Sequence, residues 1–64
     1  MNGLSPAERE VLHLKAQGLN REWIAAMRLS SPNTVKVLLE RGRMKLRASN
    51  TTNAIAIAIR QGEL

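Results

Sequence analysis

The chain has 64 residues, a formal net charge of +5 and no cysteine. This length allows a single domain, residues 1–64, near the lower limit at which a chain folds on a hydrophobic core alone, and it excludes a large substrate cavity. The absence of cysteine excludes disulfides and thiolate metal sites, and because the single His13 cannot hold a metal ion by itself, we expect no cofactor and no small-molecule ligand within the domain.

The first predicted helix covers residues 6–17. Ser5 is its candidate N-cap, Pro6 suits the first helical position, and Glu8 follows the cap by three residues, as in a capping box. Gly18 is a candidate C-terminal stop.

The second predicted helix covers residues 21–28, with Asn20 as its cap. It is expected to end before the sequence SSP, because the residue before a proline is pushed out of the α conformation. Trp23 is expected in the core or at its edge, since one aromatic ring cannot form a platform for single-stranded nucleic acid. Ala25 is small where the next helix must approach.

A third helix is predicted over residues 32–47, with Ser31 as the N-cap and Pro32 at the first helical position. Val35 is apolar where this helix must face the second one. Gly42 costs roughly 1 kcal/mol relative to alanine in a helix interior, so it indicates a close helix crossing.

The positive charge is concentrated in this third segment. Between residues 31 and 48, five basic residues stand against one glutamate, Glu40, and the rest of the chain is nearly balanced. The basic residues are Lys36, Arg41, Arg43, Lys45 and Arg47. A localised positive field favours a polyanionic partner, although a merely solvated basic helix has the same composition.

The last segment, NAIAIAIRQG, alternates alanine and isoleucine and has two interpretations. A lone strand has nothing to pair with in a helical chain, so a fourth helix over residues 51–61 is favoured, which starts from Asn50 or Thr51 and stops at Gly62. A small helix that is apolar on both sides is expected to bury one side in its own core and the other in a partner. One side holds Ile55, Ala58 and Ile59, and the opposite side holds Ala54 and Ile57.

These segments predict an all-α domain of four short helices, in which the second and third form a helix-turn-helix. Basic and apolar residues fall on separate helices, and no apolar run approaches the roughly 20 residues that span a bilayer, so no membrane partner is expected. The cysteine-free composition fits a reducing, cytoplasmic setting. Glu8, Glu10 and His13 share one helix without a nucleophile or metal set, so no enzyme is expected.

Three segments resemble a known family: LSPAEREVLHLKAQGL, SPNTVKV followed by a Lys-Leu pair ten residues after Val35, and NAIAIAIRQG. They are similar to the four-helix LuxR-type (GerE-like) helix-turn-helix domain over essentially the whole chain, residues 4–64. The resemblance implies a bacterial transcriptional regulator that binds a near-palindromic duplex DNA site as a homodimer. In that family the third helix enters the major groove, the second helix and the ends of the first and third hold phosphates, and the fourth pairs two domains.

The resemblance places base contacts on the third helix. Lys36 can donate to guanine and Val37 can meet a thymine methyl, because the first turns of a groove-bound helix lie closest to the bases. Glu40, one turn later, has three interpretations: an acceptor for cytosine N4, a repulsive charge, or an intrahelical partner of Lys36.

The resemblance also implies backbone and dimer contacts. Asn33 and Thr34 lie beside the N-terminus of the third helix, which favours an anion, whereas Ser31 is better explained as a cap than as a DNA contact. The implied phosphate contacts are Arg21, Ser31, Asn33, Thr34 and Lys45. The implied dimer contacts are Ala54, Ile57 and Gln61.

The chain departs from the family pattern at several positions. Arg28 and Ser30 stand where apolar residues are common, which indicates a rotated packing of the second helix. Glu40 stands where a basic residue is often found. Gly42 stands at a position that is apolar or small in the family, and a small residue there is familiar in quorum-sensing members. The usual N-terminal sensor or receiver domain is not in this chain. The absent sensor domain, Glu40 and the bare alanine and isoleucine surface of the fourth helix favour an alternative. It is a small anti-activator or interaction module that forms a heterodimer with a larger LuxR-type regulator through the fourth helix.

Overall fold

The structure is a computed structural model that describes residues 3–64, and this range contains four helices. They are α1 (Pro6–Ala16), α2 (Arg21–Arg28), α3 (Pro32–Lys45) and α4 (Thr51–Arg60). The predicted all-α architecture and the order of its elements are confirmed. No helix within residues 3–64 has the length and apolar character needed to cross a bilayer.

Each helix begins at a polar N-cap whose side chain accepts a hydrogen bond from the backbone amide three residues later. The caps are Ser5, Asn20, Ser31 and Asn50. At α1 the capping box is complete: the Glu8 amide donates to Ser5 Oγ at 3.1 Å, and the Ser5 amide donates to Glu8 Oε1 at 2.9 Å. The predicted caps are therefore confirmed.

Two helices end before a glycine with a left-handed backbone, as predicted. Gly18 has a φ of 91° after α1 and Gly62 has a φ of 76° after α4. Gln17 and Gln61, predicted as the last helical residues, are instead the C-caps of these helices.

The third helix ends at Lys45, so the predicted end at Arg47 is wrong. Arg47 adopts a left-handed backbone with a φ of 55°. This reversal lets the Ala48 amide donate to the Arg43 carbonyl at 3.0 Å, which closes the helix. No proline or glycine in the sequence marks this helix end, because the left-handed residue is an arginine.

The core lies where α1, α2 and α3 meet. Val11 and Leu12 of α1, Ile24 of α2 and Val35 of α3 are completely buried. At the crossing of α1 with α3, a Cβ added to Gly42 would lie 3.0 Å from Leu12 Cδ1. The packing reason predicted for this interior glycine is confirmed.

The inward side of α2 carries Ile24 and Ala25, which are buried. Arg28 and Ser30, from which a rotated packing of this helix was predicted, are half-buried. The Arg28 guanidinium is accommodated there by an ion pair with Glu10 of α1. Ser30 Oγ is buried without a hydrogen-bond partner among the described residues.

Trp23 is exposed, so its predicted place in the core or at the edge of the core is wrong. Its side chain is 63% exposed, and Met27, one turn later, is 59% exposed. Ile24 and Ala25 take the inward side of α2, which leaves Trp23 and Met27 on the outward side of the same helix.

The fourth helix packs through alanine, which corrects the predicted division of its sides. Ala54 and Ala58 have no exposed surface, whereas Ile59 is 58% exposed. Ile55 and Ile57 are half-buried on either flank. Small side chains on the inward side let α4 approach the core closely. The assignment of Ala54 to the dimer interface is therefore wrong, because this residue has no surface to offer a partner.

Candidate nucleic-acid interface

The outward side of α3 exposes charged and polar side chains together with Val37. Its buried side carries Val35 and Leu39, which anchor the helix to the core. One shallow surface depression is lined by Asn33, Lys36, Val37, Glu40 and Arg41. The three predicted base-contact residues, Lys36, Val37 and Glu40, therefore lie together on the accessible side of one helix.

Ser31 and Thr34 interact with each other at the N-terminus of α3. The Thr34 amide donates to Ser31 Oγ at 3.1 Å, and the two hydroxyl oxygens lie 3.0 Å apart. Ser31 is thus a cap, as the local sequence favoured, and the Thr34 hydroxyl is directed at that cap. Asn33, between them in sequence, is exposed.

Three basic side chains from three helices line a second depression. Lys15 comes from the last turn of α1, Arg21 from the start of α2 and Lys36 from α3, and the rest of the lining is Leu39, Glu40 and Thr51. The structure thus brings Arg21, a predicted phosphate contact, next to Lys36, a predicted base contact. The sequence prediction overlooked Lys15, although its basic side chain in the turn before Gly18 was an available signal.

Glu40 pairs with Arg43 instead of Lys36, which excludes the latter as its intrahelical partner. Arg43 Nε and Nη2 donate to the two carboxylate oxygens at 3.2 and 2.5 Å. The Arg43 hydrogen bond is the main reason that the pKa of Glu40 lies below its ordinary value, with a smaller effect from the Lys36 charge. The same pair raises the pKa of Arg43. Both groups are therefore charged at neutral pH.

Lys45 lies at the far end of α3 and pairs with Glu8 of α1. Its Nζ is 2.8 Å from Glu8 Oε1, and the Glu8 side chain is only 4% exposed. Burial raises the pKa of Glu8, but the hydrogen bond from Lys45, helped by the hydrogen bonds from Ser5, lowers it further than burial raises it. One of the three donors of Lys45 is thus directed inward and the others remain for an external anion.

The three residues predicted for the dimer interface differ in burial. Ala54 is buried, Ile57 is half-buried, and Gln61 is exposed. Ile59, predicted for the core, is the most exposed isoleucine of this helix and lies on the other flank.

The described residues show no arrangement for metal chemistry. No group of three His, Asp or Glu side chains within residues 3–64 is placed to hold a metal ion.

The surface of α3 presents hydrogen-bond donors at Lys36 and Arg41, an acceptor at Glu40 and an apolar contact at Val37. These are the group types that read base edges in a major groove.

A comparison with protein families matches most of the chain. The family model described as GerE, bacterial regulatory proteins of the luxR family, matches residues 2–58. No curated protein and no solved structure matches the chain. The matched range includes α1, α2, α3 and most of α4.

Proposed function

The chain belongs to the luxR family of bacterial regulatory proteins, whose helix-turn-helix domain binds DNA, and we propose that it is a transcriptional regulator that binds duplex DNA sequence-specifically as a homodimer. One observation carries the proposal: Lys36 and Val37 lie together on the accessible side of α3, while the opposite side of this helix is anchored in the core. A helix held in this way can enter a major groove without losing its own packing.

Base recognition is assigned to the first turns of α3. Lys36 donates to the O6 and N7 acceptors of guanine, and Val37, 40% exposed, packs against a thymine methyl. Glu40 lies one turn further along the same side.

Phosphate contacts are assigned to side chains on both sides of α3. Lys15 and Arg21 line the depression beside Lys36, and Asn33 lies at the N-terminus of α3, where backbone amides and the helix dipole favour an anion. Lys45 contributes its remaining donors at the other end of the helix. Ser31 and Thr34 contribute mainly by shaping the N-terminus.

Dimerisation is assigned to α4, through Ile57 and Gln61. A two-fold axis between two paired copies of this helix would place two copies of α3 on successive turns of one face of the DNA, which requires a near-palindromic site. We place this activity in the bacterial cytoplasm, and a role in quorum sensing stays a prediction from Gly42.

A mobility-shift titration against near-palindromic duplexes at several salt concentrations tests this function. Lys36→Ala should lose about 1–3 kcal/mol of discrimination at one base pair. Arg21→Ala should weaken binding to all sequences alike and reduce the magnitude of the salt slope by about 1. A folded protein that binds no duplex at low salt would contradict the proposal.

A second function is an interaction module that pairs with a larger luxR-family regulator through α4. The exposed Ile59 and the acidic Glu40 on the surface of α3 favour it. Co-expression with such a regulator, followed by size-exclusion chromatography, distinguishes the two functions. A stable heterodimer, formed by a chain with no sequence preference on DNA, would favour the interaction module.

A further inference from the structure

Glu40 places a negative charge on the side of α3 that carries Lys36 and Val37. Its side chain is 58% exposed. An isolated carboxylate at this position would be repelled by DNA phosphates, so its partners decide whether it obstructs binding or takes part in it.

Arg43 fixes this carboxylate from one side. Its Nε and Nη2 donate to both oxygens of Glu40, and its Nη1 donates to the Ala48 carbonyl at 2.8 Å. The guanidinium is thus attached to Glu40 at one edge and to the chain after α3 at the other. This arrangement offsets the negative charge and reduces the rotamer freedom that DNA binding would otherwise have to remove.

Glu40 and Lys36, on the surface of α3, both keep hydrogen-bonding capacity for a ligand. Each carboxylate oxygen has lone pairs beyond the one that accepts from Arg43. Because Arg43 and not Lys36 binds the carboxylate, Lys36 remains a donor for guanine while Glu40 remains an acceptor.

We propose that Glu40 selects cytosine in the major groove by accepting a hydrogen bond from its N4 amino group, and that Arg43 is the positioning residue that orients the carboxylate. This inference rests on the proposed DNA-binding function and specifies the sequence that the protein reads. Cytosine offers a donor at its major-groove edge, whereas guanine and thymine offer acceptors that repel a carboxylate. Adenine offers its N6 donor beside the N7 acceptor, so it suits a carboxylate less well than cytosine does.

Selection from randomised duplexes at low salt tests this proposal. The wild-type chain should enrich cytosine at one position in each half-site, near the guanine that Lys36 reads. Glu40→Ala should lose that preference by about tenfold while keeping the rest of the site. Glu40→Gln should shift the preference towards adenine, because an amide can donate to N7 and accept from N6.

Two arginine variants separate positioning from charge. Arg43→Gln should weaken the cytosine preference although Glu40 is still present. Arg47→Gln removes the same charge from the same end of the helix, and should lower the affinity for all sequences without changing base preference. Circular dichroism establishes whether each variant is folded. If Arg43→Gln does not fold, Glu40→Ala still tests the cytosine preference.

The outcomes distinguish this inference from the function on which it rests. A wild-type chain that binds no duplex would overturn both. A chain that selects a defined site, but whose base preferences are unchanged in Glu40→Ala, would overturn the role of Glu40 and leave the DNA-binding function standing. Equal selectivity profiles for Arg43→Gln and Arg47→Gln would overturn the positioning role of Arg43.

Discussion

Lys45 Nζ lies 2.8 Å from Oε1 of Glu8, and this ion pair joins the first turn of α1 to the last turn of α3. The same Glu8 oxygen accepts the Ser5 amide hydrogen bond at 2.9 Å. One nearly buried carboxylate therefore completes the capping box of α1 and fixes the end of the candidate DNA-reading helix.

Removing the charge of Glu8 is expected to destabilise the fold. Glu8→Gln keeps the shape and an acceptor for Ser5, but leaves the ammonium of Lys45 without its counter-charge. We expect the free energy of unfolding in urea to fall by about 1–2 kcal/mol, less than for a fully buried pair because Lys45 is 39% exposed. Glu22→Gln, at an exposed position of α2, should change it by less than about 0.5 kcal/mol. Equal losses in the two variants would contradict this role.

The stability of the fold should decrease in acid because the Glu8 carboxylate becomes protonated. The pKa of Glu8 is lower in the folded chain than its ordinary value of 4.5. Folding therefore favours the charged form, and this stabilisation is complete above the unfolded pKa and is lost as the pH falls through the lower folded pKa. The melting temperature should stay level near neutral pH and fall below about pH 4.5.

The Glu8→Gln variant is the control for this pH dependence, and its melting temperature should fall less steeply in acid. Glu40 also has a lowered pKa and acts in the same direction, but it is exposed. If Glu8→Gln retained the full acid sensitivity, the sensitivity would have to arise from groups other than Glu8.

Gly42→Ala should destabilise the crossing of α1 and α3. The added methyl would lie 3.0 Å from Leu12 Cδ1 and 3.6 Å from Leu4 Cδ2. Helix propensity favours alanine by about 1 kcal/mol, but overpacking against a buried leucine costs about 1–3 kcal/mol, so we expect a net loss near 1 kcal/mol. In a Leu12→Val background the same substitution should cost less. Strictly additive losses would show that the methyl does not meet Leu12.

Ser30→Ala is expected to stabilise the protein. Ser30 Oγ is buried without a partner in the described part of the chain. A buried polar atom without a hydrogen bond costs about 1–3 kcal/mol, so its removal should raise the free energy of unfolding by roughly 1 kcal/mol. The matched control is Ser49→Ala, because Ser49 is exposed. A loss of stability in Ser30→Ala would mean that this hydroxyl has a partner in solution.

Ile57 and Ile59 provide a matched test of the proposed dimer. They lie on opposite flanks of α4, and only the flank of Ile57 also carries Gln61. Ile57→Ser should weaken dimerisation on a palindromic duplex in sedimentation velocity, and Ile59→Ser should not. Circular dichroism is needed for Ile57→Ser, because this side chain also packs on the core. The reverse result would move the interface to the flank of Ile59.

Local signals in the sequence were sufficient for the helix starts and for a close helix crossing at Gly42. Serine or asparagine before each helix, and a proline at the first position of α1 and α3, predicted where the helices begin. Gly42 predicted a close approach because an interior glycine needs a packing reason. These features depend on residues near one another in the chain, or on a single residue whose size is unusual.

Interactions between distant segments were not predictable in the same way. Nothing near Glu8 or Lys45 in the sequence shows that the two residues meet. Lys36 and Arg43 both lie about one turn from Glu40, so their spacing does not decide between them, and Arg43, which pairs with Glu40, also contacts the Ala48 carbonyl after the helix. In α4 the alternation of alanine and isoleucine left two sides equally apolar, and only packing shows that the core admits Ala54 and Ala58.

The four N-caps have a consequence for long-range electrostatics. Aspartate caps a helix as well as serine or asparagine does, yet Ser5, Asn20, Ser31 and Asn50 are all uncharged. Four aspartates in their places would cancel four of the five net positive charges of the chain. Because association with a polyanion is accelerated by a net positive field, neutral caps stabilise every helix without slowing the approach to DNA.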